Sequence, residues 1–122
     1  MINVALNALR RGQALAASIA SSKPSHLAWV GVYPLDTTRE TTQELLRNHG
    51  QAVPLPSVHA YRIRTFEVAR ALVEQDFSIA EPELENKSNF FAFGEEDLAE
   101  KLRQLGVRLE ELQLPYKSNY PI

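Results

Sequence analysis

The feature that most constrains the fold is an uncharged, largely apolar run, residues 27–33, that lies between Pro24 and Pro34. The run is too short for a typical helix, and it contains Trp, Val and Tyr, which are common in strands. Because the run has no alternation of apolar and polar residues, we predict a strand that is covered on both faces of its sheet. A chain of 122 residues with 44% hydrophobic and 23% charged residues can build the core that such a strand needs, as one domain over residues 1–122.

Amphipathic spacing predicts four helices around this strand. Residues 2–21 carry apolar side chains at spacings of three and four, and Gly12 weakens that helix without ending it. Thr37 and Glu40 match a capping box, in which each side chain bonds a free backbone N–H at the helix start, and Gly50 ends this second helix. The other two predicted helices are residues 66–75, capped by Thr65, and residues 95–105, with Leu98, Leu102 and Leu105 facing the core.

Two further segments are predicted strands, residues 58–64 and the aromatic run 89–93. Residues 77–79 are a possible fourth strand, residues 81–88 are either a loop or an edge, and the tail from Pro115 is expected to be extended. The order of elements predicts an α/β or α+β fold, with a single-layer sheet of three to four strands packed with about four helices.

Catalytic and metal-binding motifs are absent from the sequence. The chain has no cysteine, which excludes disulfides, thiolate metal sites and a cysteine nucleophile. Its histidines, His26, His49 and His59, are not spaced as metal ligands, and there is no glycine-rich phosphate loop or serine nucleophile motif. We therefore predict that the chain is not an enzyme and that it has no catalytic residues, metal or cofactor. A site assembled in space from His26, Asp36, His59 or the tyrosines is the alternative, and no spacing supports it.

The chain shows no membrane signal. No apolar run approaches the roughly 20 residues that span a bilayer. Arg10 and Arg11 precede an alanine-rich stretch, residues 14–20, but Gln13 and Ser18 make that region too polar for a signal peptide. We predict a cytoplasmic protein with no membrane partner.

Charge is unevenly distributed along the chain. Residues 1–73 hold 8 basic and 4 acidic side chains, whereas residues 74–111 hold 4 basic and 11 acidic ones. An acidic second half favours a basic protein partner and argues against nucleic acid binding there. Arg62, Arg64 and Arg70, with Tyr61 and Phe66 among them, are interpreted as a polar strand face rather than an RNA-binding patch. The predicted partner-binding residues are Glu81, Glu83, Glu85, Glu95, Glu96 and Asp97.

The C-terminal third, NFFAFGEEDLAEKLRQLGVRLEELQLPYKSNYPI, covers residues 89–122. Its short aromatic strand, its helix with an acidic start and its tail with Pro and Tyr resemble the ending of small bacterial immunity proteins of contact-dependent inhibition and related polymorphic toxin systems. The resemblance implies a cytosolic inhibitor that binds one cognate toxin and blocks its active site. A basic toxin domain is the partner that the acidic second half favours. It assigns no role to any single residue. The alternative is a non-catalytic structural or assembly protein, a homo-oligomer formed through the N-terminal helix, where Val4, Ala8 and Leu15 add apolar surface.

Overall fold

The centre of the molecule, a computed structural model that describes residues 4–74, 79–118 and 120–121, is a four-stranded antiparallel sheet. Each strand pairs with the next along the chain, so the spatial order is the sequence order. The strands are β1 (Leu15–Ile19), β2 (His26–Leu35), β3 (Ala60–Ala69) and β4 (Glu85–Phe93). The helices are α1 (Val4–Arg10), α2 (Glu40–Asn48), α3 (Arg70–Glu74) and α4 (Glu95–Gln104). The predicted fold class, with its strand and helix numbers, is confirmed.

The strand predicted at residues 27–33 is covered on both faces, as its apolar character indicated. Side chains alternate between the two faces of a strand, so Val30 and Val32 lie on one face and Trp29 on the other. Val30 and Val32 are fully buried in a core that α1 and α4 help to form, with Leu9 and Leu102 among its members. Trp29 belongs to a second core cluster with Phe66, Val68 and Leu84.

The predicted helix over residues 2–21 is wrong beyond its first turns. The helix ends at Arg10, and Gly12 adopts a positive φ of +86°, which only glycine takes without strain. The alanine-rich stretch then forms β1, which pairs with β2 from Leu15, opposite Val32, to Ile19. Alanine favours a helix in isolation. The long unpaired edge that β2 would otherwise expose favours a strand here.

The helix predicted over residues 66–75 begins too early: its first four residues are in a strand, residues 70–74 are helical, and residue 75 lies outside the described residues. Residues 65–69 continue β3, which pairs residue by residue with β2 up to the pair of His26 and Ala69. Phe66 and Val68 share one face of that strand, a spacing of two that the predicted helical pattern overlooked. Of the described residues that follow the strand, Arg70–Glu74 form α3.

Other boundaries were less well predicted. Arg39 is the residue at the start of α2 and no side chain caps it, so the capping box of Thr37 and Glu40 is wrong. Residues 77 and 78 lie outside the described residues, and Ile79 is not in a strand. The region 81–88 becomes a 3-10 turn, Glu81–Glu83, followed by the exposed start of β4. The tail is not extended at Pro115–Ser118, which form another 3-10 turn.

Two predictions near the C-terminus are confirmed. Residues 89–93 are in β4, and α4 follows at once with Leu98 and Leu102 fully buried. Gly94, at the junction of β4 and α4, has φ +92°. Within the ranges that the structure describes, no helix has the length and apolar character needed to cross a bilayer.

Candidate functional site

The outer edge of β4 is the most exposed stretch of regular structure in the sheet. β4 is the last strand in the order, and no strand of the described chain pairs with its outer side. Its first five residues, 85–89, are all exposed, whereas Phe91 and Ala92 are buried. An unpaired edge presents a row of backbone N–H and C=O groups that an extended segment of another chain can bond.

The six predicted partner-binding residues lie at the two ends of this strand. Glu81, Glu83 and Glu85, here called the leading carboxylates, lie in the 3-10 turn and at the first position of β4. The trailing carboxylates, Glu95, Glu96 and Asp97, form the first turn of α4, just beyond the end of β4. A strand of this length spans roughly 27 Å. The two groups therefore bracket the free edge and do not form one continuous acidic patch.

The leading carboxylates are held by neighbours within the protein. Both oxygens of Glu81 accept hydrogen bonds from Nη2 of Arg64, and Lys87 lies 3.7 Å away. The hydrogen bond from Arg64 is the main cause that lowers the pKa of Glu81 below its ordinary value. Oε1 of Glu83 accepts a bond from the backbone N–H of Ala80 at 2.9 Å, within its own turn. These two carboxylates are thus fixed in position.

Glu85 joins a row of polar side chains at the start of β2. Its Oε2 lies 2.7 Å from Nε2 of His26, and Nδ1 of His26 lies 2.8 Å from the hydroxyl of Ser25. The residue types match those of serine hydrolases, in which a buried carboxylate orients the histidine. Here the Glu85 side chain is 46% exposed and also faces Lys23 at 3.9 Å. The row is better explained as a link between the ends of β2 and β4.

The trailing carboxylates differ from one another in their environment. Glu95 forms a bidentate ion pair with Arg10, at 2.7 and 2.8 Å, which joins α4 to α1 and lowers the pKa of Glu95. Burial raises the pKa of Asp97, but hydrogen bonds from Lys101 and from the backbone N–H of Phe93 lower it further, so its pKa lies below the ordinary value.

Glu96 is different because it is exposed and makes no hydrogen bond or ion pair with any described residue. Five of the six carboxylates already have an intramolecular partner, so the field at this edge is weaker than the acidic sequence indicated. The partners Arg10 and His26 lie far from these acids in the sequence. No local pattern pointed to these pairs, and the (i, i+4) pair of Asp97 with Lys101 was the one that spacing could identify.

The arginines considered as an RNA-binding patch do not form one surface. Arg62 and Arg64 share a face of β3, and Arg64 bonds Glu81. Tyr61 points to the opposite face, because it is one residue away along the strand. Arg70 lies in α3, beyond the end of β3. The set is therefore divided among three places.

The histidines are also dispersed. His26 lies at one end of the sheet, and His59 precedes β3 at the other end. His49 is the C-terminal cap residue of α2. Its Nδ1 lies 2.9 Å from the carbonyl of Leu45, and its ring packs edge-on against Phe91. Among residues 4–74, 79–118 and 120–121, no group of three or more His, Cys, Asp or Glu side chains is placed to hold a metal ion.

Comparison of the chain with protein-family models, with curated proteins and with solved structures gave no significant match.

Proposed function

We propose that the chain is a non-catalytic protein-binding module and that its partner docks along the outer edge of β4 as an added strand. The observation that supports this most is the run of five exposed residues on an unpaired edge, with carboxylates at both ends. Strand addition uses backbone hydrogen bonds for affinity and side-chain contacts for specificity. The module therefore fits an extended segment with basic side chains at both ends.

Glu96 is the carboxylate expected to contribute most to steering. A basic residue of the partner can pair with it without displacing an internal partner, whereas Glu81 and Glu95 must first share or lose Arg64 and Arg10. Charges at the rim of an interface mainly raise the rate of association and fix the register of docking. We expect the backbone edge to supply affinity and Glu96 to supply orientation.

In its most concrete form, the proposal is a cytoplasmic immunity protein that neutralises a bacterial toxin by covering the toxin's active site. The resemblance of residues 89–122 to the ending of such proteins supports it, and that segment includes the last five residues of β4. Toxins that cleave nucleic acids carry basic surfaces to hold phosphates. An acidic inhibitor is attracted to such a surface.

The first experiment is a pull-down with tagged chain from the source organism, read by mass spectrometry. We expect one basic toxin domain in stoichiometric amount. Its affinity is then measured by calorimetry for the wild type, Glu96→Lys and the matched control Glu40→Lys. Both substitutions place a cation in the first turn of a helix, with the same unfavourable dipole interaction. Only Glu96→Lys is expected to weaken binding, and equal weakening by both would contradict the proposed docking edge.

Hydrogen exchange tests the added strand directly. The backbone amides of residues 85–89 are expected to exchange more slowly in the complex than in the free chain. Unchanged exchange there, in a complex that forms, would place the partner elsewhere on the surface.

The alternative proposal is a homo-oligomer formed through the N-terminal helix. That helix offers a partner less apolar surface than the sequence indicated. α1 buries Ala5, Ala8 and Leu9 in the core of its own chain, while Val4 is 76% exposed. Recovery of the chain alone in the pull-down, with a mass by light scattering that rises with concentration, would favour this alternative.

A further inference from the structure

A cavity of about 530 Å³ lies where the end of α1, the connection from β2 to α2 and the beginning of β3 meet. This volume is within the range of small-molecule binding sites. Leu9, Leu35 and Tyr61 form apolar parts of its wall. Arginine side chains from two different elements complete it. The residues that line the cavity do not include any from β4, and one of them, Arg10, pairs with Glu95 at the end of the docking edge. A ligand here would be a function additional to the one proposed for that edge.

Three arginines line the cavity, Arg10, Arg11 and Arg39. Arg10 is paired with Glu95, and Arg39 interacts with Asp36, which is also in the wall. The side chain of Arg11 has no hydrogen bond or ion pair with any described residue. Within the described part of the chain, Arg11 therefore has no carboxylate partner.

The first turn of α2 also belongs to the wall, through Arg39 and Thr42. α2 is nine residues long, and no side chain caps its N-terminus. The first backbone N–H groups of a helix have no partner within the helix. Together with the helix dipole, they favour an anion at this position.

The hydroxyl of Tyr61 is an independent sign of a ligand. Tyr61 is 1% exposed and lines the cavity, and no described residue bonds its hydroxyl. A buried hydroxyl without a partner destabilises the protein that holds it. Burial raises the pKa of Tyr61 above its ordinary value, so the group keeps its proton and remains a donor.

We propose that this cavity binds a small organic phosphate. The phosphoryl oxygens bond the guanidinium groups of Arg11 and Arg39 and the free N–H groups of α2, since planar guanidinium groups and helix N-termini both suit phosphate. The organic part packs against Leu9 and Leu35. The Tyr61 hydroxyl donates a hydrogen bond to the ligand.

The test is a titration of the ¹⁵N-labelled chain followed by NMR, with phenyl phosphate and with inorganic phosphate as probes. Phenyl phosphate is expected to shift the amides of Gly12, Glu40 and Tyr61 saturably and to bind more tightly than inorganic phosphate. Arg11→Gln is expected to weaken its binding about tenfold, as for one lost bond to a charged group. Arg47→Gln removes the same charge at the far end of α2 and is expected to leave binding unchanged.

Tyr61→Phe separates a ligand-binding role from a structural one. It removes the hydroxyl and keeps the ring, so the melting temperature is expected to stay level or rise, while the affinity for phenyl phosphate falls about tenfold. Unchanged affinity in this variant would overturn the proposal. Equal affinity for the two probes, no saturable shift at the cavity, or equal weakening by Arg11→Gln and Arg47→Gln would also overturn it.

Discussion

Glu67 of β3 accepts hydrogen bonds from both the backbone N–H and the hydroxyl of Ser22, at 2.6 and 2.8 Å, and so ties β3 to the turn between β1 and β2. The amide of Asn86 donates a third bond at 2.8 Å from the start of β4. Glu67 is only 8% exposed, and the bonds from Ser22 are the main cause that lowers its pKa below the ordinary value. One carboxylate therefore connects three segments of the chain.

Replacing the Glu67 carboxylate should reduce the pH dependence of the free energy of unfolding. Because the pKa of Glu67 is lowered on folding, its ionised form stabilises the fold above the ordinary glutamate pKa of about 4.3, and this contribution is lost as the pH falls through the folded value. Glu67→Gln is expected to lower the free energy of unfolding by about 2 kcal/mol at pH 7. Urea unfolding at pH 7 and pH 3 should show this difference shrinking in acid. The exposed Glu44→Gln is the control, and a pH-independent difference for Glu67→Gln would contradict the expectation.

Gly31 allows a close approach of Tyr120 to the face of β2. A Cβ atom added at Gly31 would overlap the hydroxyl of Tyr120, and the Tyr33 ring also lies close. Gly31→Ala is expected to lower the free energy of unfolding by about 1 to 3 kcal/mol, because the tyrosines must move. A double-mutant cycle by urea denaturation tests the cause: in a Tyr120→Ala background the same substitution should cost less. Equal costs in both backgrounds would show that the strain lies elsewhere.

Shortening a leucine side chain should destabilise the protein much more on the inner face of α4 than just past the end of the helix. Leu102 is fully buried, whereas Leu105, just past the helix end, is partly buried. Leu102→Ala is expected to lower the free energy of unfolding by about 3 kcal/mol or more, since it leaves a cavity. Leu105→Ala removes the same atoms and should cost clearly less. Chemical denaturation of both variants measures the difference. Similar losses of unfolding free energy would contradict the burial of Leu102 on the inner face of α4.

Tyr120 should resist ionisation in base. Burial, and then its hydrogen bond with Tyr33 at 2.5 Å, raise the pKa of Tyr120 far above the ordinary value. As the pH rises above about 10, the unfolded chain loses this proton and the folded chain keeps it, so stability falls. Titration of absorbance at 295 nm between pH 9 and 11 should be the same for the wild type and Tyr120→Phe. A smaller absorbance change in the variant would mean that Tyr120 ionises in that range.

Hydrogen exchange in the free chain should divide β4 into two parts. The amides of residues 85–89 lie in the exposed half of an edge strand, and those of Phe91 and Ala92 lie over buried side chains. We expect faster exchange in the first half, because local opening there exposes little apolar surface. Exchange followed by NMR measures each amide. Equal protection along the strand would show that another segment covers the edge.

The sequence predicted elements well where residue type and local spacing agree. Residues 27–33 and 89–93 are rich in β-branched or aromatic residues and form strands, and α4 has both an acidic first turn and a leucine stripe. The sequence pattern gave wrong elements where pairing with a neighbouring strand decides the structure. β1 is built from good helix formers, and the end of β3 was assigned to a helix because Phe66, Ala69 and Leu72 also fit a spacing of three.

The candidate site was predicted in composition but not in arrangement. That acidic residues cluster late in the chain is visible in the sequence, and the structure places them on either side of a free edge. Their internal partners come from α1, from β2 and from β3. Such pairs depend on the fold as a whole. No local sequence pattern therefore showed that Glu81 and Glu95 are already paired with arginines.

The order of strands has a consequence for how the chain folds during synthesis. Each strand finds its partner in the segment made just before it, so the sheet closes short loops, which carry a small entropic cost and favour rapid folding. One sheet contact departs from this rule: Ala16 in β1 pairs with Gln113 near the other end of the chain. β1 to β3 can therefore assemble before the segment that carries Gln113 has been made, and the contact between β1 and that segment forms later.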